Sequence, residues 1–192
     1  EFKQRDGYTD CYHVFNKRTQ NYVKYLTSKR VVLCPYWANQ QAFPNVKETK
    51  VQLRLKHNLP IDKFLIGSFQ RDTEGHDLKS PKLEKGPDLL ADALELKNTS
   101  HRTAWGDSRD IHVVLAGWRR QYIMSRLDSA KIPYTYIERP DHSVINELYR
   151  TIDLYVVAAR EEGGPQALIE CGLTTTPVVS TPVGIAEQVL ID

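Results

Sequence analysis

The sequence predicts an α/β fold, a Rossmann-like parallel sheet with helices on both faces, and three observations carry that prediction. Short, mostly apolar runs at 64–69, 111–116, 134–137, 153–159 and 177–180 read as strands buried on both faces. Helical patterns separate these runs, so they follow one another as repeated βα units. At 159–172 an apolar run passes into a turn with two glycines, and Pro165 then opens a helix, where its fixed φ fits and its missing N–H costs nothing.

In chain order, residues 1–30 are polar and aromatic and yield one element, a short helix at 19–27 with Tyr22, Tyr25 and Leu26 along one side. Residues 31–34 form a strand stopped by Pro35, and 35–44 is an irregular connector with buried aromatics. Val51, Leu55 and Leu59 share one helical face, which Asn58-Leu59-Pro60 ends. The regular alternation begins with the strand at 64–69. A helix at 87–96 turns Leu90, Ala93, Leu94 and the Lys97 stem inward, and 98–110 is a surface loop. The strand 111–116 is closed by Gly117, and the helix 120–130 buries Ile123, Leu127 and Ala130. After the strand 134–137, Ser143 caps a helix with Val144, Ile145, Leu148 and Tyr149 as its apolar stripe. The strand 153–159, a helix at 165–172 ended by Gly172, the strand 177–180 and a helix at 184–190 complete the chain.

Composition narrows the function classes. With 26 Lys+Arg against 24 Asp+Glu, the net charge of +2 argues against a nucleic-acid partner or a polybasic membrane anchor. No apolar run reaches the roughly 20 residues of a membrane span, and the first residues lack signal-peptide character. Cys11, Cys34 and Cys171 form no CxxC and are odd in number, so they read as free thiols of a reducing, cytoplasmic protein, with Cys34 and Cys171 as small core residues. Glu1 in place of a methionine, and an end just after a helix, give the expectation of a piece of a longer chain.

Chemistry concentrates at the carboxyl ends of the strands, where ligands of parallel sheets bind. Three loops meet there: 70–85, 138–142 and 160–165. The start of the helix after Gly163 and Gly164 points unpaired amides and the positive end of its dipole outward, a site for a phosphate. Glu162 before the glycines and Glu170 inside the helix bracket that site. Carboxylates repel phosphate, so their task is to accept hydrogen bonds from hydroxyls beside it. A phosphate between hydroxyl-bearing groups describes a nucleotide-sugar. Arg71 and Lys85, in the loop after the first strong strand, suit a diphosphate, one as a planar fork and one as a point charge.

The run Glu162-Gly163-Gly164-Pro165 to Glu170, with Cys171-Gly172 and Pro177-Val178-Val179 behind it, resembles the Glu-x7-Glu motif of retaining GT-B glycosyltransferases, family 4 (glycosyl transferases group 1), in their C-terminal, donor-binding domain. Thr181 to Glu187 resembles that family's next segment, and Arg71 with Glu84-Lys85-Gly86 its diphosphate pair. The resemblance covers roughly residues 31–192 and implies the following roles. Arg71, Lys85 and Glu162 are the catalytic set. Gly163, Gly164, Pro165 and Gln166 contact sugar and phosphates, Glu170 the ribose, and Arg139 and Pro140, in the loop 138–142, the base. Residues 1–35 are a trailing segment of an acceptor-side domain and linker; 36–192 are the nucleotide-sugar-binding domain, truncated at its C-terminal edge. The donor is a UDP- or GDP-linked hexose and the acceptor a glycan, lipid or protein hydroxyl. No cofactor or metal is implied, and the chain has no Asp-x-Asp to hold one.

One departure is the thirteen residues (72–84) between Arg71 and Lys85, with His76, Asp77, Lys79 and Lys82, which suit a lid or an acceptor loop. Asp72 and Glu74 read as caps or ion partners of that loop, and Asp141-His142 as a turn with a helix cap nearby rather than a catalytic pair. Tyr8, Tyr12, Trp37 and Trp105 read as packing, with sugar stacking as the alternative. Two other functions stay open: a sugar-nucleotide epimerase or phosphorylase of the same fold, and a non-catalytic nucleotide-sugar-binding module.

Overall fold

A computed structural model describes residues 1–99 and 110–190, without the side chains of 97–99. Residues 100–109 of the expected surface loop, Trp105 among them, and the Lys97 stem lie outside that description.

The main sheet has five parallel strands: β3 (Phe64–Ser68), β6 (Ile111–Ala116), β7 (Tyr134–Ile137), β8 (Leu154–Val157) and β9 (Val178–Ser180), in the order β7-β6-β3-β8-β9. Ile66 of β3 lies opposite Val113 of β6 on one side and Leu154 of β8 on the other. Successive side chains of a strand go to opposite faces, and two cores result. Ile66, Val113 and Leu115 pack with Leu90, Ala91 and Leu94 of α4 (Pro87–Thr99) and Ile123 and Leu127 of α5 (Gln121–Ser129). Leu65, Val114 and Ala116 pack with Leu148 and Tyr149 of α6 (His142–Thr151), Leu168 and Cys171 of α7 (Gln166–Thr174) and Ala186 of α8 (Ala186–Val189). Helices therefore cover both faces, as expected.

Two helix faces and two helix ends differ from the expectation. In α3 (Lys50–Lys56) Val51 and Leu55 are exposed, while Leu53 and Arg54 are buried and Leu59 packs just beyond the helix. The helix turns Arg54 inward because its guanidinium donates to the Thr151 carbonyl at 2.8 Å and to Asp153 at 2.7 Å. On α4 Ala91, not Ala93, faces the core. Helix α7 runs through Gly172 and ends at Thr175, which takes the left-handed conformation itself (φ 55°). The cap of α6 is Asp141, whose carboxylate accepts from the Val144 amide at 2.9 Å, and Ser143 donates to that carboxylate. In the connector only Phe43 is buried: Trp37 is 73% exposed and Tyr36 lies at the surface edge. Cys171 is buried, whereas Cys34 is exposed with Cys11.

The first 34 residues hold more than the sequence suggested. Beyond α2 (Lys17–Leu26) and β2 (Arg30–Leu33), they contain α1 (Phe2–Asp6) and β1 (Cys11–Val14). Strand β1 pairs parallel with β2, Cys11 opposite Arg30, over a small core of Val14, Val23 and Val31. Tyr12 stacks on Phe2 there, and Tyr8 is exposed. The loop 70–85 contains a short antiparallel pair, β4 (Thr73–Glu74) and β5 (Ser80–Pro81).

Candidate functional site

From β3 the sheet grows one way through β6 and β7 and the other way through β8 and β9. Chains leaving β3 and β8 at their carboxyl ends therefore diverge, and the crevice between them is where such sheets take ligands.

Lys85 reaches this crevice because the single 3₁₀ turn Leu83–Lys85 is fastened to the end of β8. The amides of Arg160 and Glu161 both donate to the Glu84 carbonyl, at 2.9 and 3.2 Å. Arg160 binds Asp88 through both guanidinium nitrogens, at 2.7 and 2.6 Å. Gly86 sits at φ 62°, and a Cβ there would fall 1.8 Å from the Ala158 carbonyl oxygen, so only glycine fits. The Lys85 ammonium is thereby delivered to the Glu162 carboxylate, in a half-buried ion pair. Gln70 donates to the Lys85 carbonyl at 3.0 Å from the β3 side.

The turn after Glu162 leads to α7, whose first residue follows Pro165 with no side chain capping it. Its leading amides are therefore left for another acceptor. At the back of the turn Gly184 (φ 57°) presses against Glu162, Gly163 and Pro165. At 164 the space that a Cβ would take is filled by the Tyr36 ring, so that glycine makes room for the chain's own aromatic residue. Asn16 donates to the Gly163 carbonyl at 2.8 Å. Glu170, one turn into α7, accepts from the Tyr149 hydroxyl at 2.7 Å, and burial pushes its carboxyl above the usual range. Phe69 packs edge to face on Tyr149 and on Tyr155, which are tilted against each other, with ring centres 5.0–5.2 Å apart.

Arg71 is on another part of the rim. Its neighbour Asp72 is buried and pairs with Arg120, the largest fully buried side chain among the described residues. Arg120 also donates to the carbonyls of Ser68 and Ala116, which ties the ends of β3 and β6 together. Asp72 thus anchors the loop, as expected, though to an arginine on the adjoining strand's connection. Arg71 itself is exposed, its guanidinium 5.5 Å from the Trp118 ring centre. Arg119 and Arg139 share that indole at 4.4 and 4.9 Å. Both hold left-handed backbones, φ 57° and 46°, a conformation that costs a non-glycine residue energy and clusters at functional sites. Among the described residues none of the three arginines has a carboxylate partner.

Two centres result on one rim: Lys85 with Glu162 beneath the start of α7, and Arg71 with Arg139 around Trp118. Pro140 follows Arg139 and is half-buried. Sequence reasoning missed Trp118, Arg119 and Arg120, although Gly117-Trp118-Arg119-Arg120 closes a strand and was open to the argument used for Arg71. Asn16 and Tyr36 carried no local signal. Among the described residues no group of three His, Cys, Asp or Glu side chains is arranged to hold a metal, and no helix is long and apolar enough to cross a membrane.

Comparison with known proteins adds to this geometry. No curated protein sequence matches the chain. Sucrose-phosphate synthase from Thermosynechococcus elongatus is similar in structure, with a TM-score of 0.71 at 19% identity over 95% of this chain and 43% of that one. Anabaena HepE, solved with UDP-glucose, aligns with a TM-score of 0.72 at 15% identity over 96% and 48%. S. aureus TarM, a G117R mutant solved with fondaparinux, α-GlcNAc-glycerol and UDP, aligns with a TM-score of 0.65 at 13% identity over 95% and 32%. These likenesses establish the fold, that of a GT-B half, and the chain spans less than half the length of each of the three. Residues 78–191, which include Lys85, Trp118, Arg119, Arg139 and the whole Glu162–Glu170 junction but not Arg71, match the sequence family of glycosyl transferases group 1, and the chain belongs to that family.

Proposed function

We propose that this chain is the donor-binding half of a retaining, metal-independent hexosyltransferase of family 4 type. It takes a nucleoside-diphosphate hexose, UDP-linked before GDP-linked, and serves transfer to a glycan, lipid or protein hydroxyl. In this reading residues 1–35 trail from an acceptor-side domain, and 36–192 form the donor domain. The protein works in the cytoplasm, and any membrane contact is made by parts outside this chain. The carrying observation is the Lys85 ammonium against Glu162 at the uncapped start of α7, where the strand order reverses. UDP in the HepE and TarM structures favours uridine.

When the bond between the sugar and the diphosphate breaks, its electron pair goes to the leaving phosphate oxygen. Lys85, half-buried, and Arg71, exposed on the rim, meet that growing charge, and cations already in place stabilise it as it develops. The amides of Gly163, Gly164 and Gln166 hold the phosphates, with Pro165 setting the turn between them and Glu162 beside the sugar. Glu170 accepts from the ribose hydroxyls on the oxygen that Tyr149 leaves free. Arg139 and Pro140 border the base.

Calorimetry with UDP, GDP, ADP and dTDP and their hexoses tests this directly. Lys85→Ala and Arg71→Ala should each weaken UDP binding by about 1.5–3 kcal/mol, as for a charge-assisted hydrogen bond. Unchanged affinity in either variant removes that residue from the diphosphate site. A changed sugar when the donor is incubated without acceptor would point to an epimerase instead.

A further inference from the structure

The two glycines of the donor turn are shaped by the segment that precedes the sheet. Neither Gly163 nor Gly164 has a positive φ, so the backbone does not demand glycine there. What excludes a side chain at Gly164 is the Tyr36 ring, and the Phe15 ring crowds Gly163 more mildly. A Cβ on Gly164 would lie 2.2 Å from Tyr36 Cδ2 and 2.9 Å from Cε2, and one on Gly163 would lie 3.2 Å from Phe15 Cδ2. Phe15 and Tyr36 stack face to face, centres 4.0 Å apart and 13° from parallel. Next to Phe15 in the chain, Asn16 is 3% exposed and uses both ends of its amide. Its Oδ1 accepts from the Thr19 amide and caps α2; its Nδ2 donates to the Gly163 carbonyl.

We propose that Tyr36 and Asn16 are positioning residues of the donor site. They brace the Gly163-Gly164 turn from behind and so fix where the leading amides of α7 point. The proposal rests on the donor reading above. Both residues lie outside 78–191, the stretch that matches the family.

A double-mutant cycle of Gly164→Ala and Tyr36→Ala separates this from a glycine kept for the ligand. UDP affinity is measured by calorimetry and the unfolding midpoint without ligand, on all four proteins. Gly164→Ala should weaken UDP about tenfold or more, about 1.4 kcal/mol, and lower the midpoint. Removing the ring as well should restore UDP affinity to that of Tyr36→Ala alone. Asn16→Ser keeps an acceptor for the α2 cap but is too short to reach Gly163; it should weaken UDP severalfold with little change in midpoint. The proposal is overturned if the double variant binds as poorly as Gly164→Ala, since the added methyl then meets the ligand itself. It is also overturned if Gly164→Ala or Asn16→Ser binds UDP like the parent. A parent chain that binds no nucleotide sinks the donor reading instead, and the four midpoints then report the ring–glycine contact as packing alone.

Discussion

Arg120 and Asp72 carry opposite charges with almost no solvent around them, and each charge depends on the other. Breaking such a pair from one side leaves a buried charge uncompensated, at a cost of about 3–5 kcal/mol. Asp72→Ala should show a loss of that size in urea unfolding; a loss below about 1 kcal/mol, the worth of an exposed pair, would mean that water reaches Arg120. Glu170 offers a test by pH. Burial raises its pKa, so it takes up a proton at a higher pH than an ordinary carboxyl, and the sign is fixed: hydroxyl-accepting power is full at high pH and fades as pH falls through the raised value. In the parent, UDP affinity should drop as pH falls through that raised value, and Glu170→Gln should bind more weakly and lack that drop. Lys85, Glu162, Gly163, Gly164 and Glu170 were legible because turn chemistry and charge are local properties of a few neighbouring letters. The Asp72–Arg120 pair and the Trp118 cluster were not, since they depend on which strand ends become neighbours.

The strands of the main sheet were readable as elements because a parallel strand is buried on both faces and its letters are apolar throughout. Strand β1 escaped because Cys11 and His13 face solvent and only Val14 is buried. Helix α3 was found but rotated, since an apolar count could not weigh one buried arginine with a half-buried carboxylate partner against two valine- or leucine-sized side chains. That partner, Asp153, is a junction in its own right. Burial pushes its carboxyl up, but the Leu65 amide, Lys50 and Arg54 more than offset this and hold it below the usual value. A depressed carboxyl contributes stability that is present above its unfolded pKa, about 3.9, and is lost as pH falls through the folded value. Asp153→Asn should therefore destabilise the chain by about 1–3 kcal/mol at pH 7, and the difference from the parent should close as pH falls through the lowered folded value. A gap that persists in acid would assign the effect to shape rather than charge.

At the scale of the molecule, a chain of net charge +2 gathers Lys85, Arg71, Arg119 and Arg139 on one rim, the end where the strand order reverses. The βα alternation predicted that end as the ligand-binding one, and three loops as its lining. It did not predict a fourth contributor, the loop after β6, or the first 34 residues closing over the turn. Those residues were read poorly because their partners are far along the chain: Asn16 and Gly163 stand 147 positions apart.

That distance has a consequence in time. Closing a long loop costs entropy before any contact repays it, so the βα units can assemble from near neighbours while the bond between Asn16 and Gly163 waits for both ends of the chain. The donor turn should be the last part of the sheet's rim to order and the first to loosen. In native-state deuterium exchange, the amides of Gly163, Gly164, Gln166 and Ala167 should open with those of β1 and α2, well ahead of β3 and β6. Excision of residues 1–34 should leave β3 and β6 protected while those four amides exchange freely.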